Sequence, residues 1–116
     1  MEKNIEIEYN GEKLPLVFNL NVMERIQEEY ESVDAWGKLT EADEPNARAI
    51  KFGFTEMINE GIDIYNESNE GVEGFKPRKP LTLRQVGRII TEVGLTTAAA
   101  KLNNAVIEST KSDEKN

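Results

Sequence analysis

The 116-residue chain carries 14 basic and 22 acidic side chains, a net charge of −8, and 38% hydrophobic residues, the composition of one globular domain rather than a disordered segment. It contains neither cysteine nor histidine, which excludes disulfides, thiolate metal sites, Ser–His and Cys–His nucleophile pairs and the commonest zinc ligand. No apolar run approaches the length of a membrane span, and the first ten residues alternate acidic and apolar types without the basic and apolar regions of a signal peptide, so a cytoplasmic protein that uses no cofactor is expected.

The charge is unevenly spread. Residues 1–75 hold 6 basic against 18 acidic side chains, whereas residues 76–110 hold 6 basic against 2 acidic. An acidic front repels nucleic acid and anionic lipid. The two signs can attract within one fold, or can support head-to-tail self-association.

Residues 3–19 predict a β-hairpin. Ile5, Ile7 and Tyr9 alternate with polar neighbours, as do Leu14, Leu16 and Phe18, on either side of Asn10-Gly11. That dipeptide suits the two positive-φ positions of a type I′ turn. Pairing Tyr9 with Glu12 sets Ile7 opposite Leu14 and Ile5 opposite Leu16, so both apolar rows share a face. Pro15 lacks an N–H and is expected with its outer edge in solvent.

A first helix is predicted over Asn21–Glu31, capped by Asn21 with Glu24 three residues on, its stripe running through Met23, Ile26 and Tyr30. Ser32–Asp43 is read as a connector containing Trp36. A second helix follows over Pro45–Asn66, with Ala47, Ile50, Phe54, Ile58, Gly61 and Tyr65 as a continuous stripe. Residues 67–80, rich in Gly, Pro and charge, read as a loop long enough to be mobile or functional. A third helix begins at a Thr82/Gln85 capping box with a Leu81–Val86 staple, buries Val86, Ile89, Ile90 and Val93, and stops at a left-handed Gly94. A fourth is predicted over Thr97–Ser109 with Ala98, Leu102, Ala105 and Val106 inward. The expected fold is α+β and mostly helical, an N-terminal β-hairpin packed on about four α-helices. It forms one domain over residues 1–110, followed by a flexible polar tail at 111–116.

Catalytic and ligand motifs fit poorly. Glu28, Glu29 and Glu31 read as a solvated helix face rather than a carboxylate pair. Asp63, Asn66 and Glu67 lack calcium-loop spacing, and Gly71-Val72-Glu73-Gly74 is not followed by the Lys-Ser/Thr of a phosphate loop. The capped helix, glycine turn and helix around Gly94 have the order of a helix-turn-helix, with Lys76, Arg78, Lys79, Arg84 and Arg88 nearby. A would-be recognition helix with one lysine on an acidic chain makes nucleic-acid binding the weaker reading.

The strand Leu16-Val17-Phe18 runs into a helix with Leu20, Asn21, Met23, Ile26 and Tyr30 at set spacing. A Trp-containing connector, a long helix, a loop and a capped Leu-Thr-Leu-Arg-Gln-Val-Gly helix follow. Over roughly residues 14–105 this order resembles the tail assembly chaperones of long-tailed bacteriophages and prophages. The resemblance implies a non-enzymatic protein that binds the tape measure protein in the host cytoplasm, helps recruit tail tube protein, and is absent from the finished particle. A helix-turn-helix regulator and a structural tail or head–tail component are the alternatives.

Candidate contact residues follow from helix phase. Phe52 lies about 160° from the centre of the second helix's stripe, so it is expected to meet a partner or a second copy, or else to lie under the hairpin or a neighbouring helix. Trp36 and Phe75 stand in connectors, where aromatic residues either anchor interfaces or tuck onto the core. The stiff basic stretch containing Lys76, Arg78 and Lys79 can dock an acidic helix face of another copy, or serve as a solvated linker.

Overall fold

The computed structural model describes residues 5–41 and 43–114, with side chains described as far as residue 110. In chain order the elements are β1 (Glu6–Tyr9), β2 (Glu12–Pro15), α1 (Leu20–Tyr30), α2 (Val33–Glu41), α3 (Ala47–Ser68), α4 (Leu83–Val93) and α5 (Leu95–Glu114). The fold is α+β and mostly helical, with five helices among the described residues rather than about four.

The hairpin has the expected register. Ile7 faces Leu14 and Tyr9 faces Glu12, and Leu16 N–H donates to the Ile5 carbonyl at 2.8 Å. Asn10 and Gly11 take φ of 52° and 79°, as a type I′ turn needs. Residues 3 and 4 lie outside the described set. The expectation for Pro15 is corrected. Its strand edge meets α3, not solvent, because Gly61 has no side chain: a Cβ there would stand 2.9 Å from the Pro15 carbonyl oxygen. Val17 N–H also reaches the Met57 carbonyl, at 3.3 Å.

α1 begins earlier than predicted. Asn19, not Asn21, is its N-cap, accepting from Val22 N–H at 3.2 Å. The core sets this phase: Val22 and Ile26, one turn apart, are the buried pair, while Met23 is only half-buried. The Asn19 amide also donates to Glu60 of α3 at 2.7 Å, and Asn21 donates to the same carboxylate oxygen at 3.1 Å. α1 ends at Glu31 with φ 73°, a region that favours glycine.

The connector predicted at Ser32–Asp43 is instead mostly helix α2. Ser32 caps it, its hydroxyl oxygen accepting from Ala35 N–H at 3.0 Å. Trp36 and Thr40, spaced i, i+4, are buried. A nine-residue helix containing glycine carries little intrinsic stability, so α2 exists because the indole docks in the core.

α3 is the spine and touches β2 and every other helix. Asn46 caps it through Ala49 N–H at 2.9 Å, which leaves Pro45 just outside. Its buried face is wider than the predicted stripe and shifted from it: Ala49, Gly53, Met57 and Ile62 join Ile50, Phe54, Ile58 and Gly61, whereas Ala47 and Tyr65 are exposed. A helix packed on several sides needs such a broad apolar face. Each fully buried Ile or Phe contributes roughly 1.5–3 kcal/mol.

The far end of the loop after α3 is tied to that helix. Asn59 offers its amide to Leu81 like a strand neighbour, donating to the carbonyl at 3.0 Å and accepting from the N–H at 2.8 Å. Asn66 does the same for Arg78, at 2.9 Å in both directions. Seven helical residues rise about 10.5 Å, and three extended residues span about 10 Å, so the two straps share one register.

α4 has its capping box, with Thr82 and Gln85 exchanging bonds of 2.8 and 3.1 Å. Gly94 has φ 98° and ψ 136°, positive in φ but extended in ψ, so the left-handed stop is corrected. Its N–H donates to the Ile90 carbonyl at 2.7 Å, and its own carbonyl accepts from Ala98 N–H at 2.9 Å. α5 therefore starts at once, and it continues to Glu114 rather than ending near Ser109; residues 115–116 lie outside the described set. Ala98, Ala99, Leu102 and Ala105 are its buried side chains, and Val106 is half-buried. Asn103 ties α5 to α2, donating to the Thr40 carbonyl at 3.4 Å.

Candidate interaction groove

An apolar groove of about 800 Å³ lies between α3 and α4. Helix spacing builds both walls. On α4, Leu83, Gly87, Ile90 and Thr91 fall at i, i+4, i+7 and i+8; on α3, Ala47, Arg48, Lys51 and Phe52 fall on adjoining rows. Arg25 and Glu29 of α1 and Leu95 of α5 complete it. Leu83 is 48% exposed, although it follows the cap of a well-formed helix.

Aromatic and ionic contacts shape the α1 side. Phe52 packs edge-on against Tyr30 with centroids 5.7 Å apart, and the Arg25 guanidinium lies 5.8 Å from the Phe52 ring. Arg48 bonds Glu29 at 2.6 Å and stands 5.7 Å from the Tyr30 ring. The Tyr30 hydroxyl is shielded from solvent and has no hydrogen-bond partner among the described residues. Arg25 bonds Glu28 at 2.7 Å and lies 3.7 Å from Glu56. The Glu28 hydrogen bond and the nearby carboxylates hold Arg25 further toward its charged form. Burial pushes the Glu56 carboxyl above its ordinary pKa, with Glu60 and Glu28 adding to the rise and Arg25 opposing it.

The predicted contact residues separate into three places. Phe52 is half-buried and lines the groove, less exposed than its phase angle suggested because Tyr30 reaches across it. Trp36 is corrected as a surface anchor: it is 1% exposed, its indole N–H donates to the Ala49 carbonyl at 3.0 Å, and its ring lies against Gly53. Phe75 is half-buried against Tyr65, centroids 5.6 Å apart, beside a smaller hollow of about 420 Å³. Arg78 is used internally, 4.0 Å over the Tyr65 ring and 3.0 Å from Glu12. Lys76 and Lys79 are exposed. From Phe52 to Tyr65, α3 rises about 20 Å, so the basic stretch and the groove are distinct surfaces.

Sequence reading missed Leu83, Gly87, Thr91 and Leu95. The available signal was a glycine amid good helix formers, on the row that continues Leu83 away from the buried face. Among the described residues no group of three or more carboxylates is placed to hold a metal ion, and no helix is long and apolar enough to cross a membrane. A single residue, Gly94, joins α4 to α5, shorter than the three to four residues of a helix-turn-helix turn. No protein-family model matches the chain, no curated protein matches it, and no solved structure matches it.

Proposed function

We propose that this chain is a non-enzymatic tail assembly chaperone of a long-tailed bacteriophage or prophage, which holds the tape measure protein in the host cytoplasm until tail tube protein encloses it. The order of elements supports the reading: a hairpin leads into the helix with Leu20, Asn21, Met23, Ile26 and Tyr30, and a long helix, a loop and a capped helix follow. The observation that carries it is the apolar groove set in a chain of net charge −8. A long helical client exposes apolar stripes before assembly; a chaperone for it needs apolar surface inside a charged, soluble frame.

Co-expression with a tape measure protein of the same phage or prophage tests this. The two are expected to co-elute, with the soluble yield of the tape measure protein raised several-fold and the chaperone missing from purified virions. A tape measure protein that stays insoluble with or without the chain, or a chain recovered stoichiometrically in virions, overturns the reading.

A further inference from the structure

The charge around the groove is opposite to that of the molecule. Arg25, Arg48 and Lys51 line it with Glu29; Arg48 is paired with Glu29 and Arg25 with Glu28, so Lys51 carries the unspent charge of that wall. Arg84, Arg88 and Glu92 each follow a groove residue of α4 by one position, about 100° of helix turn, which places all three on the outer edge of that wall, and all three are exposed. Cations therefore outnumber carboxylates along the two long edges, Arg48 and Lys51 against Glu29 on one side and Arg84 and Arg88 against Glu92 on the other, with Phe52, Leu83, Ile90 and Leu95 between them. An amphiphile with a single acidic headgroup would need its cations gathered at one end. Two charged edges flanking an apolar floor complement a helix whose apolar stripe has carboxylates on both sides.

Gly87 makes the same point independently. Glycine inside a helix lowers its stability, yet a Cβ here would touch only the flexible Lys51 Cδ, at 3.4 Å. Packing does not demand glycine at this position; its effect is to leave the floor of the groove open. From Leu83 to Thr91 the α4 wall rises about 12 Å, the length of some two turns of a docked helix.

We infer that the α3–α4 groove seats one amphipathic helix of a partner polypeptide, with its apolar stripe against Phe52, Leu83 and Ile90 and its flanking carboxylates on the Arg48/Lys51 and Arg84/Arg88 edges. The inference deepens the chaperone reading and rests on it for the partner's class, but the probe does not use the tape measure protein. The probe is a fluorescein-labelled 16-residue peptide with Leu at i, i+3 and i+7 spacing and Glu on both flanks, titrated with the full chain and read by anisotropy; a matched peptide carries Lys on the flanks. The Glu peptide is expected to bind and the Lys peptide to bind at least tenfold more weakly. L83E and R88E, both at exposed positions, are each expected to weaken the Glu peptide at least tenfold while thermal unfolding stays near that of the parent chain. Should one variant misfold, the other still decides.

Equal binding of both peptides, absence of binding, or variants that bind like the parent overturn the inference. So does a dimer in solution that L83E dissociates, since the groove is then filled by a second copy, or a DNA duplex that displaces the Glu peptide. A chain that takes the Glu peptide through this groove but ignores the tape measure protein loses the chaperone reading alone. A chain that holds the tape measure protein equally well as L83E and R88E loses the groove alone.

Discussion

Gly53 sits where the Trp36 indole crosses α3, and a Cβ built there would lie 2.5 Å from the ring. The ring cannot retreat, because its N–H is bonded to the Ala49 carbonyl and it is fully enclosed. Overpacking of this kind costs about 1–3 kcal/mol. G53A is therefore expected to lose stability by that amount in urea denaturation, despite alanine's better helix propensity, and to shift the Trp36 emission. Unchanged stability would mean that the indole is elsewhere. Glu56 offers a test through pH. Its folded pKa is raised by burial, so the native chain holds the proton more tightly than the unfolded chain. The ionised form then costs stability. The cost is absent in acid, where both states are protonated, and grows as pH rises from the ordinary carboxylate range through the raised value. E56Q is expected to be more stable than the parent at pH 7 and to lose that lead toward pH 3. Denaturation across pH measures the difference; a lead that is constant or largest in acid contradicts the burial assignment. Loss of the 3.7 Å contact with Arg25 matters little, because that guanidinium is half exposed.

Elements here are held by side chains that imitate backbone. Asn59 and Asn66 bind Leu81 and Arg78 and deliver Thr82 to the start of α4. N59A removes two hydrogen bonds and leaves the Leu81 amide and carbonyl unpaired within the fold, a cost of about 1–3 kcal/mol. It is expected to speed hydrogen exchange at Leu81 more than at residues in the middle of α3. Equal protection in both chains would show that the loop is held by other contacts. Composition and loop length suggested a mobile or functional segment, and no local pattern signalled the straps, because an asparagine on a helix reads as solvated unless its partner is known. The Thr82/Gln85 box, by contrast, was legible because every atom it uses lies within four residues. α2 was half legible: Ser32 is a cap signal, but a short helix with Gly37 has no strong pattern of its own and depends on the site that accepts Trp36.

At the scale of the whole molecule, α3 joins one core shared by the hairpin and all the other helices. Trp36, the only tryptophan, lies within it. Its fluorescence and the far-UV circular dichroism should therefore report one urea transition with a common midpoint; separate midpoints would mean that the hairpin or a helix pair folds apart. Local chemistry, carried in contiguous residues, determined the hairpin and its register, the α4 cap, the existence of the long helices and the lack of imidazole and thiol groups. Turn preference, capping and periodicity act over a few residues, so one chain suffices to read them. Tertiary structure alone decided that Trp36 is core, that Arg78 is spent on Glu12 and Tyr65, that Asn19 rather than Asn21 caps α1, and that Phe52 opens onto a groove completed by Leu83 and Gly87. Those outcomes depend on which face of one element meets which face of another, and that choice is made by packing between segments 13 to 66 residues apart along the chain.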